Sequence, residues 1–192
     1  MRFEEAKRKL AEMLPNEVYA HCLRTSEFAA RLASEKGVDP SKAAWAGLLH
    51  DVARAQENSV LLRTAAEMGI IVDSIESRVP VLLHGPVGAE IARREFEVED
   101  RQVLHAIAIH STGGPSAGPL DKVIFIADKV EPGRTWSDVK NVRSMVELGS
   151  LDDGFALCLA STIKWLLDNR ALIHPDSLAA WNECIAARDE RQ

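Results

Sequence analysis

The sequence predicts an all-α chain on three observations. Apolar residues recur at three- and four-residue spacing along most of its length. Alternation of the β kind is almost absent. The periodic stretches also begin and end on residues suited to helix caps and stops.

Asn16 follows Pro15 as an N-cap, and the spacing predicts a long helix to about residue 36, stopped by Gly37. Val18, His21, Thr25, Phe28 and Leu32 share one face of it. Asp39-Pro40 is an N-cap with proline at the first helical position, opening a helix to roughly residue 52. A helix over about 59–68 ends at Gly69. Residues 79–84 read as a short apolar helical turn broken by Gly85-Pro86, where a helix to about Phe96 begins. Asp100 caps a helix through Ser111. The stretch STGGPSAGP (111–119) holds three glycines and two prolines and must be a loop. A helix over 120–130 follows, ended by Glu131-Pro132-Gly133. Its VIFIA segment (123–127) is rich in β-branched residues, yet Leu120, Val123, Ile124 and Ala127 fit one helical face. Helices near 153–172 and 176–188 close the chain, and the EAKRK run near its start is a solvated helix face.

The composition bounds the function. The 192 residues fit one domain, and 46% hydrophobic content builds a core without disulfides. A formal charge of −6 argues against a nucleic-acid surface, which would show as a basic stripe. It leaves room for a small phosphorylated substrate, because bound metal ions add positive charge that this count omits. Cys22, Cys158 and Cys184 form no CxxC pair, so a zinc ribbon is excluded and buried, reduced thiols are expected. The N-terminal stretch lacks a signal-peptide core, and no apolar run approaches the ~20 residues that span a bilayer. A cytoplasmic location without membrane contact is the expectation.

The chemistry gathers on buried faces. His50-Asp51 ends the apolar segment AAWAGLLHDVA, where an imidazole and a carboxylate need a partner or a metal. His21 lies on the apolar face described above, and His110 shares a face with Val103, Ala106 and Ile107. Asp128 follows Ile124 by one turn, and His84 ends the run VPVLLH. One inward histidine is most often a hydrogen-bonded core residue. Five segments each spending a ligand-type residue on an apolar face point instead to a common cation, and imidazole with carboxylate suits iron, manganese or zinc.

The order His21, His50-Asp51, His84, His110, Asp128 resembles the HD-domain phosphohydrolases that carry two additional histidines. More narrowly, LLHDVAR (48–54), LLHGPVGAEIA (82–92), AIAIHSTG (106–113) and LDKVIFIADKVEPGR (120–134) are similar to the YqeK family. The resemblance runs from about His21 to Arg143. It departs from the family at Ser111, where a threonine is usual, and in a loop rich in glycine and proline.

This resemblance implies an HD-type helical bundle over residues 1–192, with its metal-binding core at about 16–134 and further helices at about 135–192. It implies symmetrical hydrolysis of dinucleoside tetraphosphates, diadenosine tetraphosphate giving two ADP, with iron as one or two ions. Manganese or another divalent metal is the alternative cofactor, and a homodimer is compatible with the pattern. His21, His50, Asp51 and Asp128 would be the primary ligands. His84 and His110 would hold a second ion or face the phosphates, and Asp51 would bridge or orient. Asp51, His84 and His110 are the catalytic candidates.

Arg24, Lys129 and Arg134 are candidates for phosphate, with Thr112 and the Gly113 amide as a cradle. His105 and His174 read as surface and turn residues. Leu159, Trp165 and Leu166 suit core packing, while Trp45, Trp136 and Phe125 are candidates for contacting a base. Two competing readings keep the metal and differ in function, one a nucleoside monophosphate or alarmone hydrolase, the other a nucleotide sensor without turnover. A structural bundle with paired core histidines is the last.

Overall fold

Helix boundaries in the computed structural model, which describes residues 1–189, follow the caps closely. The described residues form ten α-helices, one 3-10 turn and no strand. The first three helices are α1 (Phe3–Met13), α2 (Asn16–Glu35) and α3 (Pro40–Leu49). Asp39 accepts from the Ser41 and Lys42 amides at the start of α3. Gly37 ends α2 at φ +72°, in the left-handed region that a side chain would resist. Then come α4 (Asn58–Glu67), the 3-10 turn Pro80–Leu83, α5 (His84–Glu95) and α6 (Arg101–Ile109), with Asp100 capping α6. The chain closes with α7 (Pro119–Val130), α8 (Val139–Leu148), α9 (Leu151–Asp168) and α10 (Pro175–Asp189).

Several details differ from the sequence reading: Pro15 rather than Asn16 holds the N-cap position of α2, and α3 and α9 end at Leu49 and Asp168, short of the expected 52 and 172. Gly85-Pro86 does not break the chain: α5 starts at His84 and carries Pro86 in its first turn, where a missing N–H is harmless. The reading also passed over α8, whose Val139, Val142 and Val146 are buried on one face.

The core explains VIFIA. All five residues of that segment are buried, because α7 is central and packs against α2, α3, α6, α8 and α9. Its polar positions Lys122, Asp128 and Lys129 are left partly open, while the apolar run between them is enclosed by these neighbours. Full burial of side chains such as Ile124 and Ile126 contributes about 1.5–3 kcal/mol each.

Close helix contacts set the spacing of the elements that matter below. A Cβ on Gly47 of α3 would lie 2.9 Å from the Ser26 Cα of α2. A Cβ on Gly85 of α5 would collide with the Ala108 carbonyl oxygen of α6. Both positions require glycine because another backbone occupies the space. Among the described residues no helix is long and apolar enough to cross a membrane.

Candidate metal centre

Six side chains from five stretches of chain meet in one place: His21 of α2, His50 and Asp51 just after α3, His84 opening α5, His110 just after α6, and Asp128 in the last turn of α7. All are buried or nearly so, from 0% exposure of the His50 side chain to 13% for Asp128.

The donor atoms form two groups. His21 Nε2 lies 3.1 Å from His50 Nε2 and 3.0 Å from Asp128 Oδ1. Asp51 Oδ2 is 3.8 Å from His21 Nε2 and 3.5 Å from His50 Nε2. The other Asp51 oxygen, Oδ1, is 3.2 Å from His84 Nε2 and 3.5 Å from His110 Nε2, and those two nitrogens are 3.0 Å apart. Bonds of about 2.1 Å to one cation place neighbouring donors roughly 3.0 Å apart in an octahedron and roughly 3.4 Å in a tetrahedron. The second group has those dimensions and the first, at 3.0–3.8 Å, is slightly wider, so the residues present fit a divalent metal. Asp51 gives one oxygen to each group.

The imidazoles are aimed by the backbone. His50 Nδ1–H donates to the Gly47 carbonyl at 2.8 Å, and His110 Nδ1–H to the Ile107 carbonyl at 2.8 Å. His84 Nδ1–H donates in the same way to Val81. Each bond reaches back three residues, fixes the tautomer and leaves the Nε2 lone pair facing the cluster. His21 uses a carboxylate instead, with Nδ1 3.1 Å from Glu131 Oε1.

Glu131 is the functional residue that the sequence reading missed. It is 1% exposed, and it accepts from Arg24 Nε at 2.8 Å and from the Gly133 amide. The Arg143 guanidinium of α8 in turn holds the Val130 and Glu131 carbonyls at the end of α7. A carboxylate just past a helix C-terminus opposes the helix dipole, which was the available signal.

The electrostatics keep the acids ionised. Burial opposes the charge on Asp51, yet His50 together with hydrogen bonds from His110 and His84 holds its carboxyl well below the usual range. Burial likewise opposes Asp128, and Lys129, His21 and His50 hold it low. Burial brings His110 down to about 4, which leaves it a neutral ligand at neutral pH. His50 is raised despite burial, by Asp51 and Asp128.

Above the cluster opens a cleft of ≈ 600 Å³, bordered by His21, Asp51, His84, His110 and Asp128 and by Lys129 and Arg134. Lys129 Nζ sits 3.3 Å from Asp128 Oδ2, and Arg134 donates to Asp128 as well. Ser111 stands on the rim with its hydroxyl 3.1 Å from His84 Nε2 and 3.2 Å from His110 Nε2. Arg54 and Thr162, which the sequence did not suggest, also border the cleft.

Arg24, Thr112 and Gly113 do not. The Arg24 guanidinium is taken up by Glu131 on the far side of His21. Thr112 Oγ1 donates to the Gly113 carbonyl, and the Thr112 carbonyl accepts from Ser177. Gly113 turns at φ +66° against Phe125, Phe155 and Leu159.

Other expectations were met unevenly. His105 is exposed beside Asp121, and His174 starts α10 with an ion pair to Asp73. Cys22 and Cys158 are buried free thiols, the latter pushed up to about 12 by burial, whereas Cys184 is partly exposed. Phe125 is core and Trp45 packs edge-on against Phe3. Trp165, expected in the core, is 61% exposed because α9 turns that face outward.

The comparisons with known proteins point the same way. Residues 18–133 match the HD domain family. The chain is 35% identical over 167 residues to a protein of Halalkalibacterium halodurans named symmetrical bis(5'-nucleosyl)-tetraphosphatase, covering 87% of this chain and 88% of that one. A Staphylococcus aureus protein of the same name is 34% identical, covering 95% and 94% of the two chains. A crystal structure from Clostridium acetobutylicum, described as a predicted HD superfamily hydrolase involved in NAD metabolism, superposes with a TM-score of 0.93. It is 30% identical and covers 97% of this chain and 98% of that one.

Proposed function

The chain belongs to the HD-domain family and to its YqeK-like branch, and on that premise we propose that it hydrolyses dinucleoside tetraphosphates symmetrically, diadenosine tetraphosphate to two ADP. The observation that carries this reading is the division of Asp51 between two donor groups, one oxygen to each. A phosphoanhydride at neutral pH needs an activated water and neutralisation of the phosphoryl oxygens. Divalent cations supply both when bound.

His21, His50, Asp51 and Asp128 would hold one cation, and Asp51, His84 and His110 would hold a second. Iron, which the family resemblance implies, is the cofactor of this reading; the imidazole and carboxylate donors suit it and suit manganese or zinc equally. Asp51 fixes the register between the two groups. With both ring nitrogens of His84 and His110 engaged, the Ser111 hydroxyl beside them is the group placed to orient a water or the leaving phosphate. Arg134 and Lys129 on the rim are the phosphate-binding cations of this reading, with the Nε and Nη2 of Arg134 held in place by Asp128. Thr112, Gly113 and Arg24 support the site from outside the cleft. The protein works in the cytoplasm on a free nucleotide.

The test is anaerobic purification with metal analysis, then product identification on diadenosine tetraphosphate. Two ADP per cleavage is the expected result. AMP plus ATP, or turnover of nucleoside monophosphates alone, would overturn the reading.

A further inference from the structure

The metal cleft has no aromatic wall: none of its bordering residues is Trp, Phe or Tyr. A substrate that places a nucleoside at each end of its phosphate chain must therefore seat its bases elsewhere. Directly beside the metal cleft lies a second one, ≈ 440 Å³, and the two share Lys129 and Thr162 as a common wall. This neighbour is bordered by Trp136 and Trp165.

Both indoles are open to solvent, 37% and 61% exposed, in a chain whose other two tryptophans are partly buried. Trp136 is held in place, because its Nε1–H donates to the Lys129 carbonyl at 2.9 Å. The ring is thus tied to the residue that follows the ligand Asp128. Trp165 stands on α9 three residues after Thr162, so it shares a face with the dividing wall. At the open end Asp168 offers a carboxylate to a base edge, steadied by Lys164 at 3.0 Å.

We infer that this cleft between α9 and the segment after α7 is the base-binding subsite, in which Trp136 and Trp165 hold one purine of the dinucleotide by stacking. The inference rests on the proposed function for the identity of the substrate, but the site itself is defined by nucleotide binding. Its size is that of a nucleoside site, and stacking on indole recognises any base through its π-face. Lys129 stands at the turning point, where the phosphate chain leaves the cations and the nucleoside begins. Trp136 and Trp165 are specificity-determining residues and touch none of the metal donors.

The test uses the metal-loaded protein. In a Trp45→Phe, Trp181→Phe background the two cleft indoles are the remaining tryptophans and are excited selectively over Tyr19, and ADP should quench them saturably while inorganic pyrophosphate should not. Trp136→Ala with Trp165→Ala should raise KM for diadenosine tetraphosphate roughly ten-fold or more. Metal content and competitive inhibition by inorganic tetraphosphate should stay as in the parent, and the two Phe variants should restore KM. An unaltered KM in the double Ala variant, or an equal loss of inorganic tetraphosphate affinity, would overturn the subsite. If the parent fails to cleave diadenosine tetraphosphate, the proposed reaction falls alone. The ADP titration then decides the subsite: saturable quenching in the parent background, with ADP affinity by calorimetry lost in the double Ala variant, supports it, and no quenching in the parent background or unchanged ADP affinity in the double Ala variant overturns it.

Discussion

Glu131 Oε1 lies 3.1 Å from His21 Nδ1, so a buried carboxylate stands behind one candidate ligand while backbone carbonyls stand behind three others. This makes His21 the imidazole whose orientation and basicity depend on a side chain. Burial opposes ionisation of Glu131, but Arg24, the Gly133 amide and His21 keep its carboxyl below the usual range.

Glu131→Gln should therefore weaken metal binding about 10–100-fold while leaving the helical content unchanged. Competition with a chelator measures it. Metal affinity equal to the parent's would reduce Glu131 to a turn residue.

Among the described residues Asp51 is the one carboxylate that serves both groups, through a different oxygen for each, and Asp51→Ala removes it. Turnover should fall by at least about 100-fold and the metal content should drop, with the circular dichroism spectrum retained. Full activity in this variant would remove the proposed centre.

The two arginines should separate. Arg134→Ala strips a donor from the cleft rim and should raise KM by about ten-fold, in line with a charge-assisted hydrogen bond of about 1.5–3 kcal/mol. Arg24→Ala should leave KM near the parent value and lower metal retention, because its partner is Glu131. Steady-state kinetics on reloaded protein distinguishes the two outcomes.

Gly85→Ala should cost about 1–3 kcal/mol and lower Tm, since its Cβ would press on the Ala108 carbonyl. The same displacement spreads α5 from α6 and so His84 from His110. A variant with normal Tm and normal metal content would contradict this packing argument.

For the metal-free protein, His110 sets a pH dependence. Its folded value of about 4 lies below the ordinary 6.5, so between these limits the unfolded chain binds the extra proton. Stability should fall as pH drops through that window. His50 acts with the opposite sign, its raised value favouring the fold at low pH. His110→Asn should therefore show a shallower loss of urea stability from pH 6.5 to 4 than the parent, and equal slopes would refute the assignment.

Local chemistry was readable in the sequence, and non-local partnership was not. Gly37, Asp39, Gly69 and Asp100 announced helix ends because caps act within a few residues. The six inward donors were visible because each violated an apolar face. Arg24 looked like a phosphate ligand from its phase on α2, but that phase cannot reveal that Glu131, over a hundred residues away, would claim it. Thr112 and Gly113 looked like a cradle until α9 and α10 closed over them. α8 was missed although Asp138 precedes it as a cap-type residue and Val139, Val142 and Val146 had the right spacing; in the structure the Asp138 side chain makes no cap hydrogen bond.

His50 and His110 sit at the C-terminal ends of α3 and α6, and Asp128 lies in the last turn of α7. Three helices thus turn the electron-rich ends of their peptide dipoles toward one cage that already contains two carboxylates. Such a cage, bare, repels a polyanion of the substrate's kind. On the proposed function, loading should therefore be ordered, with cations entering first and a nucleotide chain following once their charge offsets that of the carboxylates and helix ends.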